Sequence, residues 1–263
     1  MNFRFAQVNF NMKTKNKKQL PSNLTIERAQ TQKNANKIIL TELINRIDKD
    51  HEIKVLDLPC GNLEFLSYIK TLFPKAELHG ADIVEPKSDL DIAFYPMDLT
   101  KDFTALDNTQ YDLVTSISGV MMFSNTLSFI ENCSKHLKPG GTFIITNDNN
   151  ATIIDRIAFL FLGRFRMFKA VFDDHETLTE NVPIQELVRL LRKFDIEIER
   201  IEYTSLYLKD LIFLPATLII YPFQMLHLRK IKSQLPDRLI RQKYPFKHFF
   251  YKNYIIYGHK KHK

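Results

Sequence analysis

Cysteine is scarce in this chain, which has only Cys60 and Cys133 among its 263 residues. Neither stands in a spacing typical of metal ligands, so we expect no metal site. Two isolated cysteines also favour a disulfide-free protein of the cytosol over a disulfide-stabilised secreted one. The first residues are polar and basic without an apolar run, and this pattern argues against a secretory signal.

Glycine is scarce as well, with 7 residues, and no stretch of the chain reads Gly-x-Gly-x-x-Gly. That pattern forms the pyrophosphate-binding turn of nicotinamide-dependent oxidoreductases. Its absence disfavours this class of enzyme.

Acidic residues are nearly missing from both ends of the chain. Residues 1–18 contain five Lys/Arg and no acid, and residues 229–263 contain eleven Lys/Arg against the single acid Asp237. Basic ends favour an anionic partner, either a membrane surface or a nucleic acid. Solvated lysine-rich termini explain the same charges equally well. We interpret residues 1–24 as a basic flexible arm and residues 25–263 as a single domain.

The stretch from Ile53 to Phe65 organises the first half of the chain. Its short apolar run ends at Asp57 and is typical of a buried parallel strand. A tight turn follows at Pro59-Cys60-Gly61. Apolar residues then recur at helical spacing: Phe65, Leu66, Ile69, Leu72 and Phe73. Strand, turn and helix in this order form the first half of a mononucleotide-binding unit, in which small residues and free helix N–H groups meet a ligand.

Further strands and helices alternate along the chain, which predicts an α/β fold. The predicted strands are Glu77–Asp82, Ala93–Met97, Tyr111–Ile117, Thr142–Thr146, Ile196–Tyr203 and Asn253–Tyr257. One predicted helix covers residues 26–47. Others are centred on Phe129-Ile130, with Cys133 and Leu137 on the same face, and on Ile184, Leu187, Leu191 and Phe194. The intervening Lys138-Pro139-Gly140-Gly141 predicts a turn that ends the first of these two helices.

These motifs together resemble those of class I S-adenosylmethionine-dependent methyltransferases over about residues 53–147. Asp57–Leu63 resembles the first motif, Asp-x-Gly-x-Gly-x-Gly, although only Gly61 keeps a glycine, with Pro59 and Leu63 at the other two places. Asp82 follows Gly61 by twenty-one residues. Three later features complete the ordered set: Asp98, Asp112 at the start of a strand, and the string from Leu137 to Gly141.

The resemblance implies a Rossmann-like, mostly parallel sheet of seven strands in the order 3-2-1-4-5-7-6, with the last strand antiparallel and helices on both faces. It also implies S-adenosylmethionine as cofactor and assigns roles to residues of this chain. The implied cofactor-binding set is Asp57 at the methionine end, Pro59, Cys60 and Gly61 in the turn, Asp82 at the ribose, Ile83 next to it in the chain, Asp98 with Leu99 at the adenine, and Ser118 in the loop 118–122 beside the methyl group. Asp82 as the cap of a turn, and Asp98 as a helix N-cap, are the structural alternatives.

His175 is the candidate general base. It follows Asp173 and Asp174, and the loop resembles that of a subgroup of bacterial methyltransferases, some of them in cell-envelope pathways, which place a histidine there. The neighbouring carboxylates favour its basicity. A histidine in a surface loop without a catalytic role is the alternative.

An insertion of residues 205–248 precedes the last predicted strand. Residues 211–228 contain no Asp, Glu, Lys or Arg, and we expect Pro215 and Pro222 to break a helix there. An apolar hairpin or a pair of short helices at a membrane surface fits this pattern, with contact through residues 211–232. Three cations lie at its end: Arg229, Lys230 and Lys232. A buried substrate lid, a dimer face and a true membrane span remain alternatives.

The sequence therefore predicts methyl transfer from S-adenosylmethionine to a small-molecule or lipid-linked acceptor. We expect a cytoplasmic protein, peripheral on the inner face of the cytoplasmic membrane. One alternative is a non-catalytic membrane-associated protein with a degenerate methyltransferase fold, for which Leu63 is the main support. Another is an RNA methyltransferase, supported by the basic ends. Nucleic acid is disfavoured as a partner because the chain contains neither an acidic-aromatic catalytic tetrapeptide nor a catalytic cysteine pair.

Overall fold

The computed structural model describes residues 18–26, 34–120, 124–166, 180–230 and 236–262. A sheet of seven strands forms its centre. The strands are β1 (Lys54–Asp57), β2 (Glu77–Asp82), β3 (Ala93–Pro96), β4 (Tyr111–Ser116), β5 (Leu137–Asp148), β6 (Ile196–Leu206) and β7 (Tyr251–Lys260).

The strand order is β3-β2-β1-β4-β5-β7-β6. The pairs among β1 to β5 are parallel, whereas β7 runs antiparallel to both β5 and β6. The predicted α/β class, strand order and reversed last strand are confirmed.

Helices cover both faces of the sheet, as predicted. They are α1 (Ala35–Arg46), α2 (Glu64–Leu72), α3 (Thr126–Lys135), α4 (Ile153–Leu162), α5 (Ile184–Lys193), α6 (Leu214–Lys230) and α7 (Asp237–Lys243). Val55 and Leu113 pack into the core that contains residues of α1 and α2. Leu56 and Val114, the next residue along each strand, pack into the core that contains residues of α3 and α5. The period of two along each strand thus fills a separate core on each face.

The segment Lys138–Gly141 was predicted as a turn, and this prediction is wrong. It belongs to β5, where Leu137 pairs with Tyr111 but Thr142 already pairs with Leu113, so the intervening residues form a bulge. Gly140 takes the left-handed conformation, with φ +77°, that glycine adopts without strain. Lys138 in this segment pairs with Asp112 of β4, since its Nζ lies 2.9 and 2.8 Å from the two carboxylate oxygens of Asp112.

The predicted break in the insertion is also wrong, because α6 continues from Leu214 to Lys230 through Pro222. Pro215 is tolerated because it lies in the first turn, where the backbone N–H has no helical partner. Leu208–Phe213 forms a 3-10 helix that leads into α6. Together, residues 208–230 are long and apolar enough to cross a membrane by length and composition.

Candidate functional site

Four neighbouring parallel strands end at one edge of the sheet, and they bring most of the predicted site residues together there. Asp57 ends β1 and pairs with Gly80 of β2 and Thr115 of β4. Asp82 ends β2 opposite Pro96 of β3. In open α/β sheets, ligands bind beyond the carboxyl ends of the strands where the order reverses, which here is between β1 and β4.

The turn after β1 is tied to both neighbouring strands. The Leu58 N–H donates to the Thr115 carbonyl at 2.9 Å, and the Cys60 N–H donates to the Ala81 carbonyl at 3.0 Å. The Leu58–Pro59 peptide bond is cis. Burial is the main cause that raises the pKa of the Cys60 thiol, and the Asp57 and Asp82 carboxylates raise it further. Cys60 is therefore a neutral packing residue of the turn, and a thiolate nucleophile is not available from it.

Asp82 holds the turn from the next strand. Its Oδ2 accepts a hydrogen bond from the Gly61 N–H at 2.9 Å, and its Oδ1 accepts one from the Ile83 N–H at 2.7 Å. Each carboxylate oxygen accepts more than one hydrogen bond, so both retain capacity for a ligand hydroxyl. Ile83 is 73% exposed beside it. Asp82 therefore caps the turn, as the structural alternative stated. Each of its oxygens can still accept a hydrogen bond from a ligand.

Asp57 is a buried carboxyl, 2% exposed. Its Oδ1 accepts a hydrogen bond from the Thr115 hydroxyl at 2.6 Å. Burial raises the pKa of Asp57 to about 7, against the lowering effect of the Thr115 hydrogen bond and with a further rise from the Asp82 charge. A carboxyl with this pKa gains most from a cationic group placed next to it.

Leu63 stands where the family pattern has a glycine. The backbone conformation at this position explains why the family prefers glycine there. Its φ is 65° and its ψ 15°, a left-handed conformation that costs about 1–2 kcal/mol in a residue with a side chain. Its side chain is 3% exposed and packs into the core with α1 and α2. Burial of a leucine contributes about 1.5–3 kcal/mol, which offsets the backbone strain. The side chain therefore fills the core beneath the turn.

Asp98 caps a turn after β3. Its Oδ1 accepts hydrogen bonds from the Thr100 N–H at 3.0 Å and from the Thr100 hydroxyl at 2.7 Å. Lys101 Nζ lies 3.1 Å from Oδ2. The hydrogen bonds from Thr100 are the first cause that lowers the pKa of Asp98 to about 2. Leu99 is buried in the core, 5% exposed. Asp98 thus caps a turn, and no helix begins at this residue; the adenine-binding role stays a prediction.

Ser118 lies beyond β4, with its backbone in the left-handed region at φ 60°. Its N–H donates to the Thr146 hydroxyl of β5 at 2.8 Å. Its own hydroxyl is buried and has no hydrogen-bond partner within the described part of the chain. An unpaired buried hydroxyl at this edge is a polar group available to a ligand.

The structure adds Thr115 and Thr146 to the site, and sequence reasoning missed both. Each is fully buried near the carboxyl end of an apolar strand, and that placement was the available signal. Conversely, residues 147–150 stand at the carboxyl end of β5, but their asparagine amides make hydrogen bonds within the protein. Asn147 donates to the Val182 carbonyl at 2.8 Å, and Asn149 donates to the His248 and Tyr251 carbonyls at 2.7 Å each.

Several predictions fall outside the described residues. They concern His175, residues 1–17 of the basic arm, residues 121–122 of the loop after β4, and residues 231–232 at the end of the apolar segment.

Gly80→Ala is expected to lower the free energy of unfolding by about 1–3 kcal/mol. The new Cβ would lie 2.9 Å from Cys60 Sγ and 3.0 Å from Cys60 Cβ, so the turn would have to move. Urea denaturation measures the effect. Cys60→Gly removes both contacts, so the double variant should lose less than the sum of the single losses. Strict additivity would show that the contact with Cys60 is not the cause.

Comparisons with known proteins agree with the fold. A family model described as a methyltransferase domain matches residues 28–200. A search of curated proteins finds none that matches the chain.

Three solved structures illustrate the likeness of fold. A methyltransferase from Archaeoglobus fulgidus has 16% identity and a TM-score of 0.53, with 86% of this chain and 95% of that chain covered. A protein of this kind from Listeria monocytogenes has 12% identity and a TM-score of 0.53, with 86% and 98% covered. The 1,6-didemethyltoxoflavin-N1-methyltransferase of Burkholderia thailandensis, solved with 1,6-didemethyltoxoflavin and S-adenosylhomocysteine bound, has 11% identity and a TM-score of 0.50, with 88% and 78% covered. The strand order agrees with that expected for class I S-adenosylmethionine-dependent methyltransferases, so the chain has that fold. Because the family model spans more than half of the chain, the chain belongs to the methyltransferase-domain family.

Proposed function

We propose that this protein transfers a methyl group from S-adenosylmethionine to a small-molecule or lipid-linked acceptor. The observation that carries the proposal is the pair of carboxyls at the end of β1 and β2. Asp82 holds the turn with an acceptor site left on each oxygen, and the buried Asp57 beside it has a pKa of about 7. This pair suits a ligand that combines two vicinal hydroxyls with a cationic group.

S-adenosylmethionine has both features, and the residues present fit it. We assign the ribose hydroxyls to Asp82 and the apolar exposed surface of Ile83 to the adenine ring. Asp57 would face the cationic methionine end, in part through water. Pro59 and Gly61 would shape the turn, and the Ser118 hydroxyl would meet a polar group of the ligand. Asp98 and Leu99 would bound the adenine from β3.

The cofactor supplies an electrophilic methyl group when bound. The protein then has to align the acceptor with that methyl group and to exclude water. The loop that starts at Ser118 lies at the edge where the acceptor would approach. His175 remains our prediction for the group that takes a proton from an oxygen or nitrogen acceptor.

The acceptor class is inferred from two kinds of support. The structural neighbour from Burkholderia thailandensis was solved with a small heterocycle, which favours a small acceptor. A lipid-linked acceptor is supported by the exposed apolar residues of the insertion, whose last residue, His248, accepts a hydrogen bond through its carbonyl from Asn149 just beyond β5. Both fit a cytosolic protein that works at the inner face of the membrane.

The test is methyl transfer from radiolabelled S-adenosylmethionine to cell extracts divided into aqueous and lipid fractions. Label is expected in an organic-soluble product for a lipid-linked acceptor and in the aqueous fraction for a small polar one. His175→Ala should lower turnover by about 10²–10⁴-fold with cofactor affinity retained, whereas exposed His51→Ala serves as the matched control. Full turnover by His175→Ala would remove it from the mechanism.

Two outcomes would favour the other functions. A folded protein that does not bind S-adenosylmethionine would favour the non-catalytic membrane-associated alternative. Label in RNA, with binding that weakens steeply as salt rises, would favour the RNA methyltransferase alternative.

A further inference from the structure

The helix α6 is apolar on two opposite faces. One face packs on the protein body, where the Tyr221 ring meets Phe246 at 5.3 Å and Phe249 at 6.3 Å between centroids. Thr217 on the same face is fully buried. The opposite face carries exposed apolar residues, and Thr217 is the one residue of α6 that is fully buried. A helix that is apolar all round normally lies in a core or in lipid, and the described part of this chain leaves half of α6 uncovered.

A second apolar element lies beside it, at the end of α4. We use the name apolar surface for the exposed residues of both elements. They are Phe159 (54% exposed), Leu160 (76%), Phe161 (76%) and Leu162 (64%) of α4, and Ile212 (77%), Leu218 (59%), Ile219 (65%), Phe223 (70%) and Leu226 (53%) of the insertion. Exposed apolar residues on neighbouring elements are typical of a site for a protein or a membrane.

Polar contacts hold the two elements together as one unit. Arg156 of α4 donates to Gln224 Oε1 of α6 at 2.9 Å, and its guanidinium lies 4.5 Å from the centre of the Phe249 ring. Arg166 just after α4 lies 3.3 Å from Asp155 and 3.9 Å from Asp210, both of them buried. These contacts fix the apolar surface to the body, so it is a rigid feature of the fold.

Charge indicates what covers this surface. Exposed cations stand at both ends of the helical segment, with Lys209 at its start and Arg229 and Lys230 at its end. Between residues 203 and 236 the only acid is Asp210, which is buried beside Arg166. Two copies of the chain paired through α6 in antiparallel fashion would bring cations against cations. An anionic lipid surface instead neutralises them and accepts the apolar side chains.

We propose that the apolar surface formed by the end of α4 and the outer face of α6 docks this protein in the plane of an anionic lipid bilayer. The inner face of α6 stays packed on Phe246 and Phe249, so the helix lies along the membrane and does not cross it. The proposal extends the predicted contact through residues 211–232 to α4, which the sequence did not suggest. It does not depend on methyl transfer, since docking needs neither the cofactor nor Asp82.

The absence of tryptophan from the chain permits a direct test. Phe223→Trp places a single reporter on the apolar surface, and Leu160→Trp places one on α4. Leu127→Trp on α3, 48% exposed in the native chain, is the matched control. With vesicles of phosphatidylcholine and phosphatidylglycerol, the first two reporters should shift to the blue and be quenched by lipids brominated near the headgroup. Leu127→Trp should show no change.

Variants of the same surface test its energetics. Ile219→Glu with Phe223→Glu should weaken partition into these vesicles at least about tenfold, and Leu127→Glu should leave it unchanged. Arg229→Gln with Lys230→Gln should weaken binding to anionic vesicles and not to phosphatidylcholine alone. Calorimetric binding of S-adenosylmethionine by each variant reports that the domain remains folded.

Three results would overturn the proposal. If the fluorescence of the reporters on α4 and α6 does not change with saturating vesicles, lipid does not cover the surface. A blue shift without lipid that grows with protein concentration would assign the surface to a second copy. Quenching strongest with bromines at the bilayer centre would indicate a span.

Discussion

Asp82→Ala is expected to weaken the binding of S-adenosylmethionine by about 10²–10⁴-fold, corresponding to about 3–6 kcal/mol. The wild-type carboxylate has an acceptor site left on each oxygen, and a hydrogen bond to a charged group contributes about 1.5–3 kcal/mol. The same substitution leaves the Gly61 N–H without its 2.9 Å partner, so the turn loses its support from β2. Isothermal calorimetry with S-adenosylmethionine and S-adenosylhomocysteine measures the loss.

Two further variants separate binding from folding. Asp91→Ala removes an exposed carboxylate just before β3 and should leave affinity within about twofold of the native value, because exposed charges are screened. Asp82→Asn retains one oxygen acceptor for the backbone and should recover thermal stability more than affinity. Native affinity in Asp82→Ala, with the protein folded, would refute the assigned cofactor site.

The sheet was predictable from sequence because each parallel strand is a short apolar run ended by an acid or a turn. Asp57 and Asp82 could be identified as site residues for the same reason, since a carboxylate at the end of a buried strand lies at the ligand-binding edge. Their shared turn was also predictable, because the spacing between Gly61 and Asp82 matches one βα unit. The strand order came from the family resemblance, and no periodicity within single strands would have supplied it.

Contacts between distant residues were not predictable in the same way. The bond of Thr115 to Asp57 depends on the pairing of β1 with β4, and a threonine in a strand has no signal of its own. Pro222 was expected to break α6, but local propensity gave way to the packing of Tyr221 on Phe246 and Phe249. The bulge at Lys138–Gly141 followed from the register between β4 and β5, which the turn residues do not encode.

Asp57 is retained at a cost in stability. In the unfolded chain an aspartate titrates near 3.8, and in the folded protein burial raises the pKa of Asp57 to about 7. Between these values the folded state binds a proton that the unfolded state does not, so the stability of the ligand-free protein falls as pH rises, by a total of about 4 kcal/mol. Asp57→Asn removes the buried charge. Urea denaturation near pH 8 should therefore find the variant more stable than the native protein, and the difference should shrink towards pH 5.

The same carboxyl should make cofactor affinity rise with pH, whereas the stability of the ligand-free protein falls with pH. If Asp57 faces the cationic end of S-adenosylmethionine as an anion, binding must release its proton below about pH 7, so affinity should fall up to about tenfold for each unit below that pH and level off above it. The ligand α-amine, with an ordinary pKa near 8, stays protonated through the range from pH 5 to 7. Calorimetry in buffers of different ionisation enthalpy should detect close to one proton released per ligand bound near pH 6. Asp57→Asn should bind more weakly at pH 7.5, show a flat profile and release no proton, even though it is the more stable protein. A native profile that is equally flat would mean that Asp57 keeps its proton in the complex, and the cationic end of the ligand would then have to be held by another group.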